Sequence, residues 1–196
     1  MPHPLPTVGN ILPRVVHRDY FNAAGVGDID SATERFGIVK PIGNDLYAFL
    51  AVADGELIRN VHTEDLTSLG ISEASAWDTA TGNYRTMAFD GQSVEHRIMR
   101  ANDGNDWAVW LGNDLTSSSI LLPDLYSWSH TNLSGNGFLV CVASTQLVFI
   151  LPQSLADDLD HFDKYIAGVV EGSDNLVSDK WFSVTESNTV PFVASQ

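Results

Sequence analysis

Two apolar segments, Phe138 to Ala143 and Gln146 to Leu151, stand on either side of a bare Ser144-Thr145 link, and they constrain the fold more than any other feature of the chain. A strand with one wet face alternates apolar and polar side chains. These runs are apolar at nearly every position, the pattern of strands buried on both faces. They are therefore expected as neighbours in the middle of a sheet. Such a sheet needs further strands beside it and helices over it. Val94 to Arg100 and Trp107 to Leu111 are strand candidates around the turn-rich Asn102-Asp103-Gly104-Asn105-Asp106, and Trp181 to Thr185 is another. Earlier in the chain, Leu46 to Ala53 and Glu56 to Val61 flank Asp54-Gly55, a pair suited to a type I′ hairpin because both residues tolerate positive φ.

Helix signals fall between these strands. Thr63 offers an N-cap, Glu64 and Asp65 fill a first turn where the helix dipole favours acids, and Gly70 is a C-terminal stop. Ser72 caps a second helix, on which Trp77, Ala80, Tyr84 and Met87 share one face. After Pro152, Ser154 and Asp157 read as a capping box, Leu155, Leu159, Phe162, Ile166 and Val169 form a stripe of period 3.6, and Gly172 ends the helix. The class is α+β: a single domain with a largely antiparallel or mixed sheet and helices packed on one face. Residues 1–36, Pro-rich at the start and carrying Gly25, Gly27, Asp28 and Asp30, are expected as an extended N-terminal arm and polar loop, with 37–196 as the domain.

Composition narrows the function. The 196 residues carry 25 Asp and Glu against 10 Lys and Arg, a net charge of −15, and residues 101–196 hold 12 of the acids but only 2 of the bases. A field of this sign repels nucleic-acid phosphates and anionic lipid, and the scattered cations form no patch to overcome it, so neither direct nucleic-acid binding nor a membrane partner is expected. The apolar runs, Leu147 to Leu151 among them, are all far short of the ~20 residues of a membrane span. The opening Met1-Pro2-His3-Pro4-Leu5-Pro6 has no secretory signal character, and the lone Cys141 excludes an internal disulfide, so the expected location is cytoplasmic.

Motifs for chemistry are sparse. Asp114 with Ser117 and Ser118 of the triple serine could build a hydroxyl nucleophile with a histidine from elsewhere (His62, His96 or His130), yet no G-x-S-x-G elbow is present and the same residues suit a turn. Cys141 lies between Val140 and Val142 with no cation beside it, which marks core rather than a nucleophile. Six histidines show no H-x-x-x-H or H-E-x-x-H spacing, and the 102–106 loop lacks the position-12 Glu of a calcium-binding EF-hand loop, so no metal is expected. No phosphate-cradling glycine motif occurs, and no cofactor is implied. The acidic helix stands out, with Asp157, Asp158, Asp160 and Asp163 near only one cation, Lys164.

Several segments, Ile11-Leu12-Pro13-Arg14-Val15-Val16, Asn44-Asp45-Leu46-Tyr47-Ala48-Phe49, Val61 to Ser72 with its T-E-D-L-x-x-L-G-I-S string, Ala80 to Asn83 and Ser119-Ile120-Leu121-Leu122-Pro123, occur in an order that resembles the C-terminal part of the YtpQ-like proteins, a bacterial family of unknown function. The resemblance runs from about Ile11 to Phe192 and implies a chain without the family's usual N-terminal portion. It implies a fold relationship but no activity, cofactor or catalytic residue. On the residues themselves, the expected function is a small acidic binding or inhibitory module for a basic protein partner, meeting it through Asp158, Asp160 and Asp163. That partner could be a protein that otherwise binds nucleic acid. The competing reading is a hydrolase of unrecognised type using the Asp114/Ser117/Ser118 turn. Oligomeric state leaves no mark in the sequence.

Overall fold

The computed structural model describes residues 5–54, 57–100, 105–171 and 176–192, with the backbone alone at 53, 54 and 57. Its contacts divide into two compact units, Met1–Asp90 and Gly91–Gln196. Both are α+β, and every strand pairing is antiparallel.

In the first unit the central strand is β3 (Leu46–Asp54), paired along its length with β1 (Ile11–His17), from Ile11 opposite Val52 to His17 opposite Leu46. Its other edge takes β2 (Val39–Gly43) and β4 (Leu57–Asn60) one after the other. Where these two meet, Ile38 N–H donates to Val61 O at 3.1 Å, Val61 N–H to Leu50 O at 2.9 Å and Leu50 N–H to Ile38 O at 3.1 Å. The β2–β3 turn is made by Asn44 and Asp45, both at positive φ (50° and 59°), which is the backbone of a type I′ hairpin. The β3–β4 hairpin forms as its sequence suggests, while residues 55 and 56 of its turn lie outside the described residues.

Helices α1 (Arg18–Ala23) and α2 (Ile29–Phe36) bury Phe21, Ala32 and Phe36 against Val16, Phe49 and Ala51 of the sheet. Thus within the expected arm and loop over 1–36 the described residues from Ile11 to Phe36 form a strand and two helices, and the expected boundary at 37 falls inside the first unit. The physical reason is distance along the chain. The partner of β1 begins about thirty residues downstream, so pairing stabilises a segment with no strong local strand signal, and Asp28 serves as the α2 N-cap, accepting from Ser31 N–H at 2.8 Å. Helix α3 (Thr63–Leu69) starts one residue earlier than expected at its cap, with Asp65 accepting the N–H of His62 at 2.9 Å, and ends on Gly70 in the left-handed region. Helix α4 (Glu73–Ala88) is capped by Ser72, buries Trp77, Ala80 and Tyr84 on one face, and is tied to the start of β1 by Asn83, whose amide donates to Val8 O and Ile11 O at 2.9 Å each.

The second unit is a six-stranded sheet in the order β10 (Asn188–Pro191), β9 (Trp181–Thr185), β7 (Phe138–Ser144), β8 (Leu147–Pro152), β6 (Trp107–Gly112), β5 (Val94–Met99). The two apolar runs are the neighbouring middle strands β7 and β8, and every residue of β7 is buried. One face carries Val109, Leu139, Cys141 and Phe149, covered by α6 (Leu159–Val170) through Phe162, Ile166 and Val170. The other face, apolar for the same reason, is covered by a 3-10 segment (Thr116–Leu121) and α5 (Asp124–Asn132), whose Trp128 packs edge-on against Trp110 at 5.0 Å. The helix after Pro152 departs from its expected start. Residues Gln153–Asp158 form a 3-10 segment holding Ser154 and Asp157, and α6 begins behind Asp158 with no side-chain cap. Glycine 172, its expected stop, lies outside the described residues.

Candidate functional site

Helix α6 presents three rows. Phe162, Ile166 and Val170, spaced by four, face the sheet. Val169, expected in that stripe, is instead 49% exposed, because after Ile166 the inward direction is reached at the fourth residue rather than the third. It shares an outer apolar row with Tyr165, which is 46% exposed and meets Trp107 of β6 edge-on at 5.7 Å.

The third row, Asp160 and Asp163, is acidic, with Asp158 just ahead of the helix. Asp158, Asp160 and Asp163 are all exposed, but they are not equivalent. The carboxylate of Asp163 accepts the indole N–H of Trp181 at 2.7 Å and so ties α6 to β9. Asp160 lies in the first turn of α6, where the dipole favours an acid, and Asp158 stands just before it. Of the three expected binding residues, two are free to meet a partner and one is engaged within the fold.

Beside the C-terminal end of α6 an open cleft of about 270 Å³ is lined by Val169 and Val170, by Leu111 and Leu147 from the ends of β6 and β8, and by Ser144 and Gln146 at the β7–β8 turn. At its rim Gln146 Nε2 donates to Asp114 at 2.7 Å, and Glu171 follows Val170 directly, exposed. Sequence reading missed this cleft. Leu111 and Leu147 stand at strand ends, and only pairing sets those two residues opposite each other.

The serine turn takes a different form from the expected nucleophile. Ser117 and Ser118 are fully buried in the 3-10 segment, with Thr116 and Ser119, and Ser117 N–H donates to Thr145 O at 2.9 Å. Asp114 points to Gln146 and Thr145 (2.7 and 3.4 Å). A hydroxyl without exposed surface cannot attack a substrate arriving from solvent. His96 stacks on Trp110 at 4.1 Å and meets Trp128 at 5.2 Å, and His130 Nδ1 lies 3.0 Å from Gly135 O. Cys141 is buried, its thiol 3.5 Å from Ser178 O, and burial pushes its pKa up, with Asp163 and Asp179 adding to the rise. Among the described residues no group of three or more His, Cys, Asp or Glu is placed to hold a metal ion, and no helix is long and apolar enough to cross a membrane. Most of the 102–106 loop lies outside the described residues.

Comparison with family models, curated proteins and solved structures gives no match to this chain.

Proposed function

We propose that the chain is a binding module whose second unit meets a basic protein partner through the acidic surface of α6. The observation that supports this reading most directly is the exposed pair Asp158, just before α6, and Asp160, in its first turn, on a helix whose only cation is Lys164, in a unit carrying 13 Asp and Glu against 4 Lys and Arg. Exposed charge of one sign accelerates encounter with an oppositely charged partner and selects against acidic ones, and its effect is screened over ~8 Å at physiological salt. Inhibition follows if the covered basic surface is the partner's own working site. The resemblance to the YtpQ-like proteins adds no chemistry to this reading.

The test uses a lysine-rich peptide as probe, titrated calorimetrically at several salt concentrations. Asp158→Asn with Asp160→Asn should weaken binding several-fold and flatten its salt dependence, while Asp163 stays intact to hold Trp181. Asp30→Asn with Glu34→Gln, two exposed acids of the first unit, removes the same charge and should leave the affinity close to the parent's. Equal losses in both double variants would reduce the effect to net charge and overturn the assignment to α6.

A further inference from the structure

We propose that the cleft at the C-terminal end of α6 seats an aliphatic side chain from a partner segment in which that side chain is flanked by lysine or arginine. This rests on the acidic-module reading above and gives the partner's docking chemistry. Leu111, Leu147, Val169 and Val170 form the apolar part of the cleft's lining, beside Gly112, Ser144 and Gln146. Its volume, about 270 Å³, lies just under the ~300–1,000 Å³ of pockets that enclose whole small molecules, which suits side chains delivered by a docking chain. Apolar surface continues out of it, along α6 through Val169 to Tyr165 and Trp107, and through Leu176, which is 58% exposed and bridges to Ser144.

Charge selects the occupant. Asp114, exposed, accepts from Gln146 of the lining, Glu171, exposed, follows Val170 of the lining directly, and neither is paired with a cation among the described residues. An acidic segment would bring like charges to that rim, whereas a lysine or arginine beside the inserted aliphatic group would meet a carboxylate on arrival. Hydrophobic insertion supplies affinity and the rim supplies selection, the usual division between an interface centre and its edge.

The experiment titrates the whole chain with three synthetic peptides, Lys/Leu, Lys/Ser and Glu/Leu, following the methyl resonances of Leu111, Leu147 and Val169. The Lys/Leu peptide should shift these methyls and bind at least tenfold tighter than Lys/Ser, and Glu/Leu should bind weakly. Val169→Glu, at a half-exposed position where folding is retained and checked by the amide spectrum, should bring Lys/Leu binding down to the Lys/Ser level. The added negative charge would by itself attract lysine, so a loss reports the filled cleft. Asp114→Asn with Glu171→Gln should narrow the gap between Lys/Leu and Glu/Leu. If Lys/Leu and Lys/Ser bind equally and both depend on Asp158 and Asp160, the cleft assignment fails while the acidic module stands. If neither peptide binds, both fail. If Glu/Leu matches Lys/Leu, the rim does not select and the basic partner segment is wrong.

Discussion

Gly37→Ala should unfold the first unit at far lower temperature than any other single methyl addition to it. Gly37 lies at φ +80°, ψ −131°, a region that a residue with a Cβ enters at a cost of about 1–3 kcal/mol. A Cβ there would also stand 2.1 Å from Val61 O and 2.9 Å from its carbonyl carbon, so the Val61 peptide would have to retreat until the first distance reaches at least 3.0 Å. Val61 is the junction of the sheet: its oxygen accepts from Ile38 N–H and its N–H donates to Leu50 O, with Val61 and Leu50 fully buried. A retreat of that size breaks at least one buried backbone hydrogen bond, costing about 1–3 kcal/mol. Together the two effects come to roughly 2–6 kcal/mol, and at ~4–8 °C per kcal/mol for a unit of this length the transition should fall by on the order of 10 °C or more. Gly82→Ala is the matched control. It sits exposed in the middle of α4 with nothing within 4 Å of its Cβ, so the same methyl should stabilise by about 0.5–1 kcal/mol. Thermal unfolding followed by circular dichroism and calorimetry decides the matter. A Gly37→Ala protein melting within 2 °C of the parent would refute the account of the junction.

Further outcomes follow from single contacts. Phe162→Ala empties a largely buried ring site against Trp107, 5.6 Å away, and should cost about 3 kcal/mol in urea unfolding. Asp163→Ala removes the acceptor of the Trp181 indole and should cost about 1–2 kcal/mol with a shift in tryptophan emission, and unchanged emission would separate the carboxylate from that ring. Burial would raise the pKa of Asp65, but the Arg59 guanidinium at 2.8 Å and the His62 N–H outweigh it and hold it below the ordinary value. Its contribution to stability is therefore present above pH ~4 and lost as pH falls through the lowered folded value, so Asp65→Asn should be destabilised at neutral pH and lose less on acidification than the parent. A fluorophosphonate probe should leave Ser117 and Ser118 unlabelled, and a thiol reagent should reach Cys141 only at the rate of unfolding, since all three are buried. Rapid stoichiometric labelling of either kind would show that these positions open in the native state.

Features that depend on neighbours along the chain were legible in the amino-acid order. Two-sided burial of β7 and β8, the cap at Ser72, the stop at Gly70 and the strand Trp181–Thr185 all follow from periodicity or from the chemistry of one turn, and periodicity survives whatever the rest of the chain does. The α+β class came from the same signals added together. The remaining features depend on residues far apart in sequence, which the folded chain alone brings together. The segment Ile11–His17 is a strand because β3 is there to pair with it, and the serines of 116–121 are buried because the turn carrying them folds over a sheet face that was apolar and uncovered. The same holds on α6. A helical repeat of 3.6 leaves Val169 and Val170 nearly interchangeable in sequence, and the approach of the sheet chose Val170 for the core and left Val169 half exposed. Likewise three acids of similar exposure were indistinguishable until β9 set Trp181 beside Asp163, because a hydrogen bond across 18 residues has no local signature.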